Sequence, residues 1–385
     1  MVMLQVAQAL QRLGADVDVL SLNPLRQHVD DDAARRALAP VPFEAVDIDT
    51  SAHALALLRS VPLRVPQLVA RFYSPRFEAA LRARLRQRDF DVVQVESPFL
   101  LPYVRAIRES SRAAVVLRSL NVEHRIWERL AEHEGNPLRR LALRAVARSL
   151  RRYEVAQLDV CDAVVPITEA DARDFRALGG RRPMYVLPGG VDVEGRAVDR
   201  SKEGDGAVGF LGSLDYRPNQ EAALWLAEEL RSRLAAHATL HVAGSRAPQW
   251  LQARLAVAGV VFHGEVADAQ SFIGGMRVML APILSGGGMR IKILEAMAAG
   301  KAVVSTAIGA EGIDSSHGED IVIADDAAAF AAAVESLLRD APRAHEIGDA
   351  ARMLVATRYS TDALARGLLA FYEELLQGGG IRGGR

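Results

Sequence analysis

The chain has 385 residues, of which 50% are hydrophobic and 25% charged, with a net charge of −1 and a single cysteine. This length and apolar content predict two domains, each large enough to bury a core of its own. One cysteine excludes an internal disulfide and fits a reducing compartment, and no apolar run approaches the roughly 18 residues that cross a bilayer, so we predict a cytoplasmic protein.

Short runs rich in Val and Ile alternate with helical patterns, which predicts parallel sheets in an α/β architecture. Residues 2–13 have the spacing of an amphipathic helix, and the longest helix of the first half is expected at residues 136–157. The predicted strands of this half are residues 17–21, 92–96, 114–118, 163–167 and 184–187.

The start of the chain departs from the usual order of elements. A parallel α/β domain normally opens with a strand, and the loop from that strand into the first helix lines the ligand cleft. Here the helix at residues 2–13 comes first. We therefore expect that the first strand of the domain is missing, and we favour a truncated start over a translation start inside the fold.

The second half repeats the alternation of strands and helices. Its predicted helices are residues 219–234, 248–258 and 291–299, and its predicted strands are residues 208–211, 240–243, 260–262, 278–282, 303–306 and 321–323. Residues 193–206 are polar and contain glycine, which is typical of a linker. The resulting organisation is a first Rossmann-like domain at 1–192, the linker, a second domain at 207–359, a terminal helix at 360–377 and a disordered tail at 378–385.

One segment of the second half carries the clearest functional pattern. After an apolar strand, Ser285 and three glycines break the chain, and the next helix carries Arg290, Lys292 and Glu295. Glycines let a backbone approach an anion, and the start of a helix directs free N–H groups towards it. Two basic residues at a helix start are unfavourable unless an anion completes the site.

This segment therefore predicts a site for a nucleoside-diphosphate sugar. Arg290 and Lys292 would meet the diphosphate, and the Glu295 carboxylate would accept hydrogen bonds from ribose or sugar hydroxyls. The alternative is a plain loop followed by solvated basic side chains.

The run Glu295-Ala296-Met297-Ala298, followed by Gly300, Val303 and Val304, resembles the donor-site motif of retaining glycosyltransferases of family 4. The resemblance implies the GT-B fold, with two Rossmann-like domains facing a cleft and a last helix that crosses back to the first domain. It also implies that Arg290, Lys292 and Glu295 form the catalytic site, with the two basic residues on the diphosphate.

The chain departs from the motif at two positions. The family's first Glu falls on Gly287, so that ligand is absent, and Ala302 stands where Pro is common. The form GxGxRxKxLEAMAxGK resembles a bacterial subgroup associated with exopolysaccharide and exosortase-linked sugar transfer.

Other donor-binding residues follow from the same resemblance. Gly212 and Ser213 match the start of the family's GSxxxxPN segment, although an ordinary turn with Asn219 as helix N-cap would look similar. His263 lies where relatives hold the nucleotide base through backbone groups, or it is a solvated loop residue. The predicted donor-binding residues are Gly212, Ser213, His263, Gly286, Gly287, Gly288 and Met289.

The acceptor side is expected in the first domain, at the carboxyl end of its sheet. Glu96, Asn121 and Glu123 follow predicted strands there, and relatives often show His-Asn-x-Glu, with Leu120 at the His position in this chain. The alternative makes Asn121 a helix N-cap and Glu123 a first-turn acid. No residue is identified as a catalytic base.

An arginine-rich helix face is the remaining candidate surface. Such a face is either solvated or, for a lipid-linked acceptor, directs the enzyme to anionic lipid at the inner face of the membrane. We find no metal-ligand spacing, no Ser/His/Asp arrangement and no aromatic-basic platform for nucleic acid, so we expect no metal, no cofactor and no nucleic-acid partner. The arginines of this face are Arg140, Arg144, Arg148, Arg151 and Arg152.

Together these patterns predict a hexosyltransferase-like, metal-independent enzyme. It would move sugar, with retention, from a nucleoside-diphosphate sugar to a glycan or lipid-linked acceptor in polysaccharide biosynthesis. Two alternatives stay open: a sugar-nucleotide epimerase of the same fold, and a degenerate glycosyltransferase that only binds.

Overall fold

A computed structural model describes residues 2–51, 60, 65–119, 121–193, 198–285 and 289–378. The chain forms two compact units, one made of residues 1–188 and 364–385 and the other of residues 189–363. Both units are built on parallel strands, so the predicted α/β architecture with parallel sheets is confirmed. The tail at residues 379–385 lies outside the described residues.

The first unit contains two parallel sheets. One pairs β1 (Val19–Pro24) with β2 (Phe43–Ile48), and the other has the order β3 (Val92–Val95), β4 (Ala114–Ser119), β5 (Ala163–Pro166). β4 and β5 are buried along their whole length. The sequence did not predict β2. The segment predicted as a strand at 184–187 runs beside β5, with a bridge between Met184 and Val164 and backbone hydrogen bonds from Tyr185 to Val164 and from Leu187 to Pro166.

The helices of the first unit begin where side chains or prolines favour a start. Pro137 occupies the first turn of the longest helix, and Asn136 accepts hydrogen bonds from two backbone N–H groups there. The helices are α1 (Val2–Arg12), α2 (Asp31–Leu38), α3 (Gln67–Ala70), α4 (Pro75–Gln87), α5 (Val104–Ser110), α6 (Glu123–His133), α7 (Pro137–Gln157) and α8 (Glu169–Ala177), with 3-10 turns at Leu25–Gln27 and Pro98–Tyr103.

The second unit contains one six-stranded parallel sheet. Its order is β11-β10-β9-β6-β7-β8, so the direction of strand addition reverses between β6 and β9. Sheets of this order bind ligands at the carboxyl ends of the two strands at the reversal. All six strands were predicted to within two residues. They are β6 (Ala207–Leu211), β7 (Thr239–Ala243), β8 (Val261–Gly264), β9 (Val278–Ala281), β10 (Ala302–Ser305) and β11 (Val322–Ile323).

Helices cover both faces of this sheet. The helix predicted at 219–234 is regular only to Trp225 and continues as a π-turn and a 3-10 turn. The helices are α9 (Arg217–Trp225), α10 (Gln249–Val257), α11 (Ala269–Gly275), α12 (Ile291–Ala298), α13 (Ala327–Arg339) and α14 (Ala341–Leu354), with shorter turns at Arg200–Lys202, Leu226–Leu230, Arg231–Arg233 and Val355–Tyr359.

The last helix, α15 (Thr361–Gln377), returns to the first unit. Leu364 and Leu368 are buried in one apolar cluster with Val116 of β4 and Val6 of α1. The opposite face of β4 packs on a second cluster that includes residues of α5 and α7. The first unit therefore takes part of its core from the end of the chain, as the sequence led us to expect.

The segment expected to be a linker is part of the second unit. Within its described part, residue 193 and residues 198–206, the Glu203 carboxylate is buried against Lys301 Nζ at 2.7 Å and His345 Nε2 at 2.9 Å. The units divide at residues 188/189 instead of near residue 193. The segment resembled a linker in sequence because Lys301 and His345, which pair with Glu203, lie about 100 residues or more further along the chain. Residues 194–197 lie outside the described residues.

Candidate active site

The carboxyl ends of β6 and β9 lie side by side because these strands pair at Val208 with Val278 and at Gly209 with Met279. α12 follows β9, and its N-cap is Arg290, whose backbone is extended and whose side chain does not cap the helix. Arg290 thus lies just before the first turn in which the sequence placed it, and Lys292 is the second helical residue. The start of α12 can therefore direct backbone N–H groups and two cationic side chains to one place.

Lys292 reaches from α12 to the end of β6. Its ammonium lies 2.5 Å from Asn219 Oδ1 and 4.5 Å from the centroid of the Phe210 ring. Burial, followed by the positive charge of Arg290, lowers the pKa of Lys292 to about 7. None of the described contacts of Lys292 is a carboxylate. An anionic ligand can therefore bind the ammonium without displacing an acidic side chain, and its charge would favour the protonated form.

Two glycines allow close approaches around the turn after β6. A Cβ atom on Gly212 would lie 3.0 Å from both Lys292 Nζ and Asn219 Nδ2, and one on Gly244 would lie 1.9 Å from the carbonyl oxygen of Gly212. A side chain at Gly244 would push the turns after β6 and β7 apart, whereas one at Gly212 would displace the Lys292 and Asn219 side chains. The predicted glycine at 212 therefore lies directly beside the lysine.

Asn219 has a different role from the helix N-cap that the sequence left as an alternative. The N-cap of α9 is Tyr216, and the buried Asn219 donates from Nδ2 to the carbonyl oxygen of Ser213 at 2.8 Å. The Asn219 side chain therefore makes two contacts: its Nδ2 donates to the turn after β6, and its Oδ1 accepts from the Lys292 ammonium. Sequence reasoning missed this link, although the family segment that it matched includes this Asn.

Ser213 is held by charged neighbours. Its hydroxyl lies 2.8 Å from Asp215 Oδ1 and accepts from Arg246 Nη2 at 3.0 Å, and Arg246 also pairs with Asp215. Arg246 has a φ of 56°, the left-handed region that residues other than glycine rarely adopt. The sequence offered no signal for Arg246, which brings a further exposed cation to the turn after β6.

The remaining residues of the motif lie around the start of α12. Arg290 Nη2 is 3.5 Å from the carbonyl oxygen of Ser285, and the Ser285 hydroxyl donates to Glu221 at 2.6 Å. That hydrogen bond and one from Arg217 lower the pKa of Glu221. Met289 packs against the apolar cluster beneath α12, and Glu295 is half-buried. Gly286, Gly287 and Gly288 lie outside the described residues.

The His263 ring packs on β7 and α11. Its Nε2 atom lies 2.9 Å from His241 Nδ1, and its ring meets Phe272 edge-on. Burial and the neighbouring His263 lower the pKa of His241. The next residue, Gly264, accepts at its carbonyl oxygen from Gly244 N–H at 2.7 Å. The loop after β8 is thus tied through its backbone to the same group of turns as Gly212.

In the first unit, Glu96 lies just beyond β3 and pairs with Arg118 of β4 at 3.4 Å. Burial raises the pKa of Glu96, while Arg118 and Gln94 act in the opposite direction. Arg118 is fully buried, and its Nε and Nη2 atoms have no hydrogen-bond partner among the described residues. The sequence predicted Glu96 as an acceptor-side residue and did not single out Arg118.

Asn121 and Glu123 precede and begin α6. Asn121 is exposed, and the N-cap is Val122, so the alternative of Asn121 as N-cap is wrong. Glu154 of α7 instead accepts from the backbone N–H groups of Glu123 and His124, and lies 2.6 Å from His124 Nδ1. Burial and repulsion from Glu154 raise the pKa of Glu123 to about 7. Leu120 lies outside the described residues.

Neither a metal-binding cluster nor a membrane-spanning helix is present in the described ranges of the chain. No group of three or more His, Cys, Asp or Glu side chains there is arranged to hold a metal ion. No helix in those ranges is long and apolar enough to cross a membrane.

The family model described as Glycosyltransferase Family 4 matches residues 1–194, and the one described as Glycosyl transferases group 1 matches residues 205–340. The chain belongs to glycosyltransferase family 4. A relative of this family 4 chain is an uncharacterized 44.6 kDa protein in the cps region of Klebsiella pneumoniae, 42% identical over 64 residues. That match covers 17% of this chain and only 16% of the relative's length.

Solved structures show the fold of this family 4 chain. Anabaena Alr3699/HepE, in complex with UDP, has a TM-score of 0.62 at 14% identity, covering 93% of this chain and 100% of that one. Sucrose-phosphate synthase from Thermosynechococcus elongatus has a TM-score of 0.66 at 15% identity, covering 97% and 92%. A Rickettsia africae glycosyltransferase has a TM-score of 0.60 at 13% identity, covering 94% and 100%. The predicted GT-B fold is confirmed.

Proposed function

We propose that this family 4 glycosyltransferase moves a sugar from a nucleoside-diphosphate sugar to a glycan or lipid-linked acceptor, with retention of configuration. The observation that carries the proposal is the position of Lys292 Nζ beside Gly212, at the reversal point of the sheet and at the start of α12. A diphosphate needs this combination of close backbone approach, helix N-terminus and fixed positive charge. Complexes of Alr3699/HepE with UDP and with UDP-glucose support a nucleotide donor.

The donor-binding residues have separate roles in this proposal. Lys292 and Arg290 stabilise the negative charge that develops on the departing diphosphate, so the reaction needs no metal. Gly212 has no side chain and so leaves room for the phosphates beside Lys292, and Ser213 lies in the same turn after β6. Glu295 accepts from sugar or ribose hydroxyls, and the loop around His263 holds the base through its backbone.

The acceptor is proposed to meet the first unit near Glu96, Asn121 and Glu123. The Klebsiella relative from a cps region supports a role in polysaccharide biosynthesis. For a lipid-linked acceptor, the arginines of α7 would bring the enzyme to the membrane surface.

A panel of labelled nucleoside-diphosphate sugars, incubated with the protein and with glycan or lipid-linked acceptors, tests the proposal. We expect transfer, or slow release of free sugar when acceptor is absent. Conversion of one sugar nucleotide to its epimer would favour the epimerase instead. Binding of a donor without any turnover would identify a degenerate glycosyltransferase.

A further inference from the structure

Three consecutive side chains of α9, the helix that follows β6, hold three different segments around the reversal point of the sheet. Asn219 contacts the Lys292 ammonium at 2.5 Å. Gln220 donates to a backbone carbonyl oxygen in the turn after β6 at 2.8 Å. Glu221 accepts from the hydroxyl of Ser285, in the turn after β9, at 2.6 Å. The start of α9 therefore ties the turns after β6 and β9 together.

A chain of contacts leads from Glu221 to Arg290 at the N-cap of α12. Ser285 donates its hydroxyl to Glu221, and its carbonyl oxygen accepts from Arg290 Nη2 at 3.5 Å. Ser285 therefore links the Glu221 carboxylate to the Arg290 guanidinium. Lys292, the other basic residue of the site, is held by Asn219 of the same helix. Side chains of α9 thus contact one cation of the proposed diphosphate site directly and the other through a single residue.

The negative charge of Glu221 is unexpected beside a site for an anion. A carboxylate repels a diphosphate, so electrostatics alone would favour a neutral residue at this position. Arg217 offsets part of the repulsion, because its Nε atom donates to the other Glu221 oxygen at 2.8 Å. Glu221 is 32% exposed and Arg217 is 83% exposed, so solvent screens the remainder. What the carboxylate contributes is a strong hydrogen-bond acceptor for the Ser285 hydroxyl.

We propose that Glu221 is a positioning residue of the donor site, which directs the Arg290 guanidinium towards the diphosphate through Ser285. Glu221 acts on Arg290 without touching the donor. This inference rests on the proposed function, since it takes Arg290 as a ligand of the diphosphate. The acid that orients this basic residue lies on a different helix, 64 residues before Ser285, outside the segment that carries the donor-site motif.

Calorimetry of the whole chain with UDP, the nucleotide bound in the Alr3699/HepE complex, tests the proposal. Glu221→Ala and Glu221→Gln both remove the negative charge, but only Glu221→Gln keeps an oxygen that accepts from Ser285. We expect Glu221→Ala to weaken UDP binding by about tenfold and Glu221→Gln to weaken it by less than about threefold. Tighter binding by both variants, or equal weakening by both, would show that Glu221 acts through its charge and would overturn the proposal.

Combined variants follow the chain of contacts from Glu221 to Arg290. Ser285→Ala should weaken UDP binding as Glu221→Ala does, and the two together should be no worse than either alone, because both remove the same hydrogen bond. In an Arg290→Ala background, Glu221→Ala should cause no further loss of UDP affinity. A further loss in that background would show that Glu221 acts on the site by another route, and the assignment to Arg290 would be wrong.

Glu229 supplies the matched control, because it also pairs with an arginine one helical turn away. Glu229→Ala should bind UDP like the unaltered protein. If Glu221→Ala lowers the melting temperature, the comparison of Ser285→Ala with Ser285→Thr, which keeps a hydroxyl, replaces it and should give the same difference in UDP affinity. Failure of the unaltered protein to bind UDP, GDP or ADP would overturn the proposed function, whereas normal UDP binding with no difference between the paired variants overturns this inference alone.

Discussion

The Lys292 ammonium and the Asn219 side-chain oxygen lie 2.5 Å apart, although 73 residues separate them in the chain. Asn219 also fixes the turn after β6 by donating to the carbonyl oxygen of Ser213. The cation is therefore positioned by a neutral amide, which orients it without neutralising it.

Lys292→Ala should weaken both donor binding and turnover. A charge-assisted hydrogen bond contributes about 1.5 to 3 kcal/mol, which corresponds to roughly 10- to 150-fold. Calorimetry with nucleoside diphosphates and initial rates of transfer would measure the two effects. Lys202→Ala, an exposed lysine of the same unit, is the matched control and should change neither. Equal donor affinity in both variants would remove Lys292 from the site.

Donor binding should take up protons near neutral pH. The pKa of Lys292 is about 7 in the free protein, and an anionic ligand favours the charged form and raises it. Above pH 7, affinity should therefore fall with rising pH, by up to about tenfold per pH unit. Calorimetry in two buffers of different ionisation enthalpy would detect the uptake. Lys292→Arg, which stays charged, should lose it; persistent uptake in that variant would assign the proton to another group.

Glu295→Gln should impair donor use and leave folding intact. The carboxylate is half-buried and lies one turn into α12, and a neutral amide accepts hydroxyl hydrogen bonds more weakly. We expect about a tenfold loss in kcat/KM for the donor. Glu311→Gln, at an exposed position, serves as the comparison. Full activity of Glu295→Gln at low donor concentration would limit this residue to a structural role.

Gly212→Ala should reduce donor affinity more than stability. The new methyl group would lie 3.0 Å from the Lys292 ammonium and from Asn219, so these side chains must shift. We expect at least about a tenfold loss of affinity, because the hydrogen bond that orients Lys292 is disturbed. Gly274→Ala adds a methyl group in open space and controls for the substitution itself. Equal affinities would show that the turn accommodates a side chain.

Glu203→Ala should destabilise the second unit by about 3 to 5 kcal/mol, because it leaves the buried Lys301 ammonium without its carboxylate. The melting temperature should fall by roughly 10 °C. Replacing this pair with Glu203→Leu and Lys301→Met should restore part of the loss, because Arg277 and His345 also pair with Glu203 and stay in place. Glu346→Ala breaks an exposed pair with Arg343 and should cost less than about 1 kcal/mol. Equal melting temperatures for Glu203→Ala and for the double variant would show that the unpaired Lys301 ammonium is not the cause of the lost stability.

The sequence predicted the second unit better than the first for a physical reason. Strands buried on both faces, such as β9 and β10, are short runs of apolar residues that stand out against their surroundings. β2 carries Glu44 and Asp47 and lacks such a run, so it was missed. A local sequence pattern therefore reveals a strand only where burial on both faces requires consecutive apolar residues.

In the candidate site, too, the sequence predicted the residues with a local signal and missed those that act through distant contacts. Lys292 and Arg290 were predicted as site residues because positive charge is unusual at a helix start. Asn219, Arg246 and Glu154 were missed because each acts on a partner that only the folded chain brings near. Glu154, for example, caps a helix that begins 31 residues earlier. Contacts of this kind depend on strand pairing and helix packing, which no short window of sequence contains.

The return of α15 to the first unit has a consequence for synthesis. Leu364 and Leu368 complete the cluster around Val116, and the ribosome delivers them only after all of residues 189–363 have been made. The core of the first unit can therefore be completed only after the whole of the second unit has been translated.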